Sequence, residues 1–256
     1  MARSFDGVND GIAKSSTVNL PTTGTFSCLF YCKPRAQAAV GYMIEHHPGP
    51  SSNGGWAIYK AANDSLSFVK GTVAAIAGTI PLIENVWNVC GVIHRQTTEI
   101  EFFRLRLDTL AYASEIVANT SAIVGTINRL HLGAAFDETG EYDGLLAEAV
   151  IWNKDIGNAN MERLIKAYGN YARYHDRSAV VLDMPLWGVA DPEPDLSGNG
   201  NNGTVTGAVL ADHAPVGRYT PSRLARVFPA TVGAGPAPTA FFQHSGPLRI
   251  YRKNRR

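Results

Sequence analysis

The stretch from Asp143 to Tyr168 constrains the fold more than any other part of the chain, and it begins with a strand pattern. Leu146, Val150 and Trp152 fall on one face of that strand. The opposite face is also apolar and carries Leu145, Ala147, Ala149 and Ile151. Because successive side chains of a strand point to opposite faces, both faces need a covering layer. The pattern therefore predicts the central strand of a buried sheet.

The second half of the same stretch predicts one short helix. Asn158 is the expected N-cap. Apolar residues follow it at helical spacing, namely Met161, Leu164, Ile165 and Tyr168. Gly169 stands where a left-handed residue would end the helix. A strand buried on both faces, followed by an amphipathic helix, indicates a sheet whose end is covered by a helical lid.

Short apolar segments separated by Gly, Asn, Asp and Pro fill most of the first 210 residues. In Glu99–Leu107 the apolar set changes parity between Phe102 and Phe103, which predicts a bulge or a bend between two sheets. Further strands are predicted at Ser4–Ile12, Phe26–Cys32, Trp56–Tyr59, Leu66–Val69, Trp87–His94, Leu110–Val117, Ile127–Leu132, Val180–Trp187 and Thr204–Val209. Without βαβ alternation, this series predicts an all-β antiparallel β-sandwich.

Length and charge predict one domain followed by an arm. A chain of 256 residues with 45% hydrophobic residues can bury one substantial core. We therefore expect a sandwich at 1–214 and an extended arm rich in Pro, Gly and Arg at 215–256. After Asp212 there are eight basic and no acidic residues, which leaves 15 basic against 22 acidic residues in the rest of the chain. The arm should therefore be attracted to acidic protein surfaces.

The arm also carries large apolar residues, for which a purely solvated tail has little use. We expect it to order against a neighbouring subunit, with the anchoring residues Arg226, Phe228, Phe241, Phe242, Tyr251 and Arg252. A disordered tail is the alternative. The basic end could neutralise phosphates, but no recognition motif accompanies it, so nucleic acid is not an expected partner.

Two segments at opposite ends of the predicted domain resemble a known family. The run G-L-L-A-E-A-V-I-W-N-K-D-I from Gly144 is similar to the concluding strand of the concanavalin A-like (laminin G-like) jelly-roll domains. S-F-D-G-V-N-D-G-I from Ser4 resembles their opening strand, and D-L-S-G-N-G-N-N-G-T from Asp195 resembles one of their turns, although it stands late here. Polar positions depart from the family pattern at Ala147, Gly157 and Asn160. The resemblance implies a jelly roll whose first strand pairs near its last ones.

The carboxylate pattern does not favour an enzyme. Laminarinase-like hydrolases of this fold place paired carboxylates on one strand as E-x-D-x-x-E, a pattern that the sequence lacks. Glu99 and Glu101 have the i, i+2 relation without a third acid, so we expect solvent-facing strand residues. Nucleophile elbows, P-loops, dinucleotide fingerprints and H-E-x-x-H motifs are also absent from the sequence. We therefore expect no enzymatic activity.

A calcium site is the one cofactor that the sequence suggests. Asp137, Glu138 and Asp143 supply carboxylate oxygens before the strand at Asp143, and laminin G-like domains often bind calcium at one rim. An acidic solvated loop is the alternative, in which case no cofactor is bound. His46 and His47 are adjacent and would point in opposite directions on a strand, so a loop role is favoured over a metal site.

Cysteine usage and hydropathy indicate cytoplasmic synthesis. Cys28, Cys32 and Cys90 are an odd number, which predicts three reduced, largely buried thiols. No run approaches the roughly 18 apolar residues of a membrane span. The N-terminus is too polar to predict a signal peptide.

A glycan site would combine an aromatic face with polar groups that fix hydroxyls. Trp56 follows two glycines and is the best candidate for an exposed tryptophan, because the other three lie in apolar strand patterns. The candidate glycan-binding residues are Asn53, Trp56 and Tyr59.

The resemblance extends to laminin G-like proteins that bacteriophages place on their virions, and it implies a non-enzymatic structural protein. We expect capsid decoration or tail association after assembly in the host cytoplasm, with a homo-oligomer whose partners are capsid or tail subunits. The sandwich would face outward while the arm docks. The alternative is a carbohydrate-binding or receptor-binding module of lectin type, with a surface glycan as its ligand.

Overall fold

The structure is a computed structural model that describes residues 1–15, 18, 20–21, 24–47, 54–70, 75–119, 123, 129–135, 140–168, 172–187 and 189–215. The chain divides into two units, Met1–Tyr219 and Thr220–Arg256. All six candidate anchoring residues of the arm, from Arg226 to Arg252, lie outside the described residues. Their docking role and the arm's extended form stay predictions.

The described part of the chain contains fifteen strands and one α-helix. The strands are β1 (Ala2–Asp6), β2 (Gly11–Lys14), β3 (Phe26–Pro34), β4 (Gly41–His47), β5 (Trp56–Lys60), β6 (Ser65–Lys70), β7 (Ile76–Pro81), β8 (Asn88–Arg95), β9 (Glu99–Arg106), β10 (Tyr112–Ala118), β11 (Arg129–Leu132), β12 (Asp143–Trp152), β13 (Val180–Met184), β14 (Thr204–Thr206) and β15 (Val209–Ala211). The helix is α1 (Asn158–Ala167), and 3-10 turns follow at Ala172–Tyr174 and Arg177–Ala179.

These strands form two antiparallel sheets. Sheet 1 has the order β10-β9-β8-β3-β12-β1-β15, and β13 pairs with the later half of β12. Sheet 2 has the order β14-β2-β11-β4-β5-β6-β7. The arrangement confirms the predicted antiparallel β-sandwich with one short helix, and the predicted strands Trp56–Tyr59 and Leu66–Val69 pair as β5 and β6.

Apolar side chains fill two layers. Between the sheets, Phe26 and Phe30 of sheet 1 meet Ile58 and Phe68 of sheet 2 in one fully buried cluster. On the other face of sheet 1, α1 contributes its apolar stripe to a second cluster, with Met161, Leu164 and Ile165 buried. Burial of each large apolar side chain contributes about 1.5–3 kcal/mol, so both layers stabilise sheet 1.

Strand β9 shows what this two-sided burial does to the sequence pattern. Phe102 lies in the core between the sheets, and Phe103 lies in the layer beneath α1. The pairing of β9 with β8 and β10 runs without a register shift from Glu99 to Arg106. The predicted bulge at Phe102 and Phe103 is therefore wrong, because the change of parity reflects two buried faces of a regular strand.

A bulge does occur in β12, the strand that constrained the fold. Its pairing with β3 shifts by one residue between Ala147 and Val150. Glu148 takes a positive φ of 50° there, and its carboxylate contacts His213 Nε2 at 3.1 Å. Before the bulge β12 pairs with β1, and after it with β13. The predicted pairing of the opening strand with this late strand is confirmed.

The helix begins one residue earlier than its predicted cap. Gly157 is the N-cap, with φ of 82°, and its N–H donates to Asp155 Oδ1 at 2.6 Å. The prediction of Asn158 as N-cap is wrong, because Asn158 is already helical and its Oδ1 accepts a hydrogen bond from Arg95. Tyr168 is the C-cap, and the predicted stop at Gly169 lies outside the described residues.

Residues after the helix complete both sheets. β15 forms the edge of sheet 1 beside β1, and β14 forms the edge of sheet 2 beside β2. The predicted strand Thr204–Val209 is thus two short strands. Gly207, with φ of 68°, lies between them where the chain passes from one sheet to the other. The predicted strand at Val180–Trp187 ends at Met184.

The glycine-rich turn from Asp195 to Thr204 is organised by one carboxylate. Asp195 accepts hydrogen bonds from the N–H groups of Asp183 (3.0 Å), Ser197 (2.9 Å) and Asn201 (3.0 Å). The Ser197 hydroxyl donates to the same side chain at 2.8 Å. The family-like turn motif therefore has a structural role in holding the chain end against β13.

A buried ion pair ties the first strand to the same segment. Arg3 Nε donates to Glu193 Oε2 at 2.9 Å, and Arg3 Nη1 donates to the Ala208 carbonyl at 2.9 Å. Glu193 Oε1 accepts the Trp187 N–H at 2.7 Å, so both carboxylate oxygens have partners. Removing one member of such a pair typically costs about 3–5 kcal/mol of stability.

The three cysteines are free and buried, as predicted. Cys32 Sγ and Cys90 Sγ lie 3.6 Å apart on neighbouring strands. No helix in the described ranges is long and apolar enough to cross a membrane.

Gly91 sets how closely α1 packs on sheet 1. A Cβ at Gly91 would lie 2.7 Å from Met161 Sδ and 2.8 Å from Ile165 Cδ1. We expect Gly91→Val to lower the free energy of unfolding by about 1–3 kcal/mol, as overpacking does. Urea denaturation checks this. Gly11→Val is the matched control, since a Cβ there meets its nearest atom at 3.8 Å. Equal losses in both variants would contradict the packing role.

Candidate functional site

Trp56 is a core residue, and the prediction that it is exposed is wrong. It is 2% exposed, its ring stacks on Phe26 with 4.6 Å between centroids, and its Nε1 donates to the Pro21 carbonyl at 3.1 Å. The alternation of β5 places Trp56 in the core between the sheets, so its ring offers no face to a sugar. Tyr59 is also buried, and Asn53 lies outside the described residues. The exposed tryptophan is Trp187, at 40%.

Of the three candidate calcium residues, the described part of the chain includes Asp143 alone. The Asp143 carboxylate accepts a hydrogen bond from Arg35 Nη1 at 2.7 Å. Asp137 and Glu138 lie outside the described residues, so this site stays a prediction. Among the residues that are described, no group of three His, Cys, Asp or Glu side chains could hold a metal ion.

The paired histidines lie on strand β4, so the predicted loop role is wrong. His46 is fully buried beside Trp56, with 5.7 Å between ring centroids, and desolvation lowers its pKa to about 3. His94 is also fully buried, and burial lowers its pKa to about 4. Both imidazoles are neutral core residues at pH 7.

Glu99 and Glu101 share one guanidinium group. Arg95 Nη1 lies 2.6 Å from Glu99 Oε1 and 3.2 Å from Glu101 Oε2, and Arg95 Nε lies 2.7 Å from Asp155 Oδ2. Glu101 is buried, so the prediction that it faces solvent is wrong. The cluster joins β8 and β9 to the start of α1 and has a structural role.

A small cleft opens where the outer face of sheet 2 meets its rim. We call it the rim cleft, and it has a volume of about 120 Å³ and is lined by Asn9, Asp10, Gly11, Ala13, His131, Ala134, Ala135, Glu141 and Thr206. The alternation of side chains along β2 and β11 explains which of their residues line the cleft. Ile12, Leu130 and Leu132 point into the core, so the alternate residues on their strands face outward. Ala13 and His131 are register partners on that outer face.

Asp10 is the most unusual residue of the rim cleft. It is only 6% exposed, and its Oδ2 accepts the Asp6 N–H at 2.9 Å. No described residue donates to Oδ1. Burial raises the pKa of this carboxyl, while the Asp6 hydrogen bond opposes that shift. Asp10 Oδ1 is not among the fully buried, unpaired polar atoms of the described residues, so a ligand or a water molecule can reach it, which makes Asp10 a ligand-binding candidate.

Gly207 lies directly against Asp10 Oδ1. A Cβ at this glycine would lie 1.8 Å from Asp10 Oδ1, and the φ of 68° is itself unfavourable for other residues. Only glycine at position 207 therefore lets the segment between β14 and β15 pack this closely against the turn between β1 and β2.

The other polar groups of the rim cleft suit hydroxyl recognition. Asn9 supplies an amide, Thr206 a hydroxyl, and Glu141 a second carboxylate. Burial lowers the pKa of His131, and the neighbouring charges of Arg129 and His47 lower it further, which keeps this imidazole neutral. No lysine or arginine lines the cleft within the described ranges.

Sequence reasoning missed this site because its parts are far apart in the chain. Asp10 enters the sequence analysis only as part of the opening motif S-F-D-G-V-N-D-G-I. His131, Glu141 and Thr206 join it through sheet topology, which no local pattern reveals. The glycine at 207 is the one sequence signal beside Asp10, and its meaning depends on a contact across nearly the whole chain.

With two antiparallel sheets, a covering helix and a polar rim cleft, the chain is in the class of β-sandwich proteins. The Laminin_G_3 family model, described as the concanavalin A-like lectin/glucanases superfamily, matches residues 6–160. The chain belongs to this family. The match ends before β13, β14 and β15, which nonetheless contribute strands to both sheets.

Three solved structures are similar to this chain at low sequence identity. A proposed carbohydrate binding protein from Bacteroides ovatus ATCC 8483 is 16% identical with a TM-score of 0.56, covering 84% of this chain and 60% of that protein. A heptameric SAP-like pentraxin from Limulus polyphemus is 14% identical with a TM-score of 0.47, covering 66% and 83%. Tailspike protein 2 of Escherichia coli O157:H7 bacteriophage CAB120 is 12% identical with a TM-score of 0.45, covering 72% and 30%. No curated protein sequence matches the chain.

The buried histidines predict acid sensitivity. The folded pKa of His46, about 3, lies below the usual 6.5, so its contribution is present above pH 6.5 and is lost as the pH falls. Between pH 7 and 4.5 this amounts to about 2–3 kcal/mol of unfolding free energy. We expect His46→Phe to remove roughly that much of the pH dependence in urea titrations. His47→Phe changes the half-exposed neighbour, and its unfolding free energy should fall with decreasing pH as steeply as that of the parent. An equally steep fall for His46→Phe would refute this account.

Proposed function

We propose that the chain is a non-enzymatic carbohydrate-binding domain whose ligand site is the rim cleft. The observation that carries this proposal is Asp10, a residue of the cleft lining that is 6% exposed and whose Oδ1 accepts no hydrogen bond from any described residue. A buried carboxylate normally has hydrogen-bond partners on both oxygens. A sugar hydroxyl that donates to Oδ1 would supply the missing one, in a short charge-assisted hydrogen bond.

The cleft suits a small polar ligand. Sites for drug-sized molecules measure about 300–1,000 Å³. At about 120 Å³, the rim cleft has room for part of a glycan, such as a terminal sugar. Ala13, Ala134 and Ala135 offer small apolar surfaces to C–H groups, and no aromatic ring lines the described cleft. We therefore expect hydrogen bonding to dominate and the affinity of a single site to be weak.

Family membership and fold support this choice. The superfamily description includes lectins as well as glucanases. The Bacteroides ovatus structure, proposed to bind carbohydrate, shares the fold over 84% of this chain. Glycosidases also use two carboxylates, and Asp10 and Glu141 line one cleft, so hydrolysis has to be measured alongside binding. Our proposal expects no release of reducing sugar from any glycan that binds.

The first test replaces the Asp10 carboxylate by its amide. On a glycan array and in NMR titration of the full chain, we expect Asp10→Asn to bind at least about tenfold more weakly, because a charge-assisted hydrogen bond is lost. Its melting temperature should stay equal or rise. The folded pKa of Asp10 is raised, so ionised Asp10 lowers stability above that pKa, and Asn keeps an acceptor for the Asp6 N–H.

Two control variants locate the site. Asp6→Asn makes the same chemical change at an exposed position in the same turn, and binding should be retained. Trp187→Ala removes the exposed tryptophan, which does not line the cleft, and binding should again be retained. Loss of binding in Trp187→Ala with full binding in Asp10→Asn would move the site to Trp187. An array without any bound glycan would end the proposal.

The basic arm supports a second proposal, attachment of the domain to a larger assembly. Its eight positive charges without an acidic residue, and its aromatic residues Phe228, Phe241, Phe242 and Tyr251, suit docking onto an acidic neighbouring subunit. Capsid or tail subunits of a virion are the partners that we propose, with this chain as a homo-oligomeric structural component made in the host cytoplasm. In that setting the sandwich would present its glycan site outward.

Deletion of residues 216–256 tests attachment. The remaining chain should stay folded, because all described strands precede residue 216. Its association with partner subunits, or its self-association in light-scattering measurements, should be lost. A full-length variant with Arg226, Arg249 and Arg252 changed to Gln controls for chain length. At low salt, its association with the partner subunits should be weaker than that of the parent. Undiminished assembly of the deleted chain would refute the anchoring role.

A further inference from the structure

The charge of the rim cleft restricts which sugars it can hold. On the premise that the cleft binds glycans, we infer that it selects uncharged or amino sugars and rejects sugars that carry carboxylate or sulfate groups. The two carboxylates among its lining residues repel anions, and their oxygens accept hydrogen bonds that the ligand has to donate.

The electrostatic argument starts from the lining. Asp10 and Glu141 contribute carboxylates, and no cationic side chain lines the cleft in the part of the chain that is described. Arg129 shares the outer face of β11 with His131, but it does not line the cleft and is already engaged in an interaction. Arg35 influences Asp10 from a distance and is committed to Asp143 at 2.7 Å. An anionic ligand group would therefore meet repulsion without a counter-ion.

The hydrogen-bonding inventory leads to the same ligand class. Asp10 Oδ1 and the Glu141 carboxylate accept hydrogen bonds and donate none when ionised. A ligand has to supply donors, which vicinal hydroxyls or an ammonium group do. A ligand carboxylate or sulfate supplies acceptors alone, so it cannot donate a hydrogen bond to either carboxylate of the cleft.

Burial strengthens both effects. Asp10 is 94% removed from solvent, and charge interactions are stronger in such a setting than in bulk water. Asp10 cannot turn away from a ligand, because Oδ2 is held by the Asp6 N–H and Oδ1 abuts Gly207. The repulsion therefore falls on the space that a ligand would enter. Rejection of anions is then a fixed property of the cleft.

Matched ligand pairs test the inference. In NMR titrations of the full chain, glucose is compared with glucuronate and galactose with galacturonate, since each pair differs only at C6. We expect each uronate to bind at least about tenfold more weakly than its neutral partner, and glucosamine to bind as well as glucose or better. An array that carries neutral, amino, sialylated and sulfated glycans extends the comparison to larger ligands.

Two charge-matched variants separate the cleft's own charge from that of the whole protein. Glu141→Gln removes a lining carboxylate, and it should bring the uronates to within a few-fold of the neutral sugars. Glu162→Gln removes the same charge from the exposed surface of α1 and should reject uronates as strongly as the parent. Equal rejection by both variants would overturn the inference.

The outcomes distinguish this inference from the proposed function. If the parent binds uronates as tightly as neutral sugars at an Asp10-dependent site, the inference fails and the proposed function stands. If no sugar of any class binds, the proposed function fails and takes the inference with it. Preference for neutral or amino sugars that is relaxed by Glu141→Gln supports both.

Discussion

The structure depends on the burial of both faces of sheet 1. Its central strands carry apolar side chains in both directions, so one layer has to cover each face. Sheet 2 covers the inner face, and α1 with the chain after it covers the outer face. Gly91 shows how tight this arrangement is, because a single added carbon would meet two side chains of α1. With these faces used for stability, a cleft is left on the outer face of sheet 2.

Contacts between the first two strands and the segment after β13 shape that cleft. Arg3 of the first strand pairs with Glu193 in a fully buried position, and Gly207 lies against Asp10. These contacts join residues almost 200 positions apart, using a segment that the family model does not match. The same segment that completes both sheets also packs Gly207 against Asp10 and leaves that residue 6% exposed. Stability and the candidate site thus share a structural cause.

The sequence was sufficient to predict the fold, because period-two alternation and a late helix leave few alternatives to a sandwich. The prediction from sequence failed where a strand is buried on both of its faces. Phe102 and Phe103 look like a bulge when one face is assumed to be solvated, and Trp56 looks exposed when the glycines before it are taken as a loop signal. The site was beyond local reasoning, since Asp10, His131 and Thr206 meet only through sheet order. Asp137, Glu138 and the arm lie outside the described residues, so the predictions for them remain.

The place where the chain leaves the sandwich has a further consequence. Ala214 is buried in the apolar layer on the outer face of sheet 1, whereas the rim cleft belongs to the outer face of sheet 2. The cleft and the last described residues, Ala214 and Pro215, therefore lie on opposite faces of the sandwich. On our two proposals, attachment and sugar binding would use separate parts of the chain, so many copies held in one assembly could engage a surface dense in sugars at once. Sites that each bind weakly would then together give strong but reversible multivalent binding.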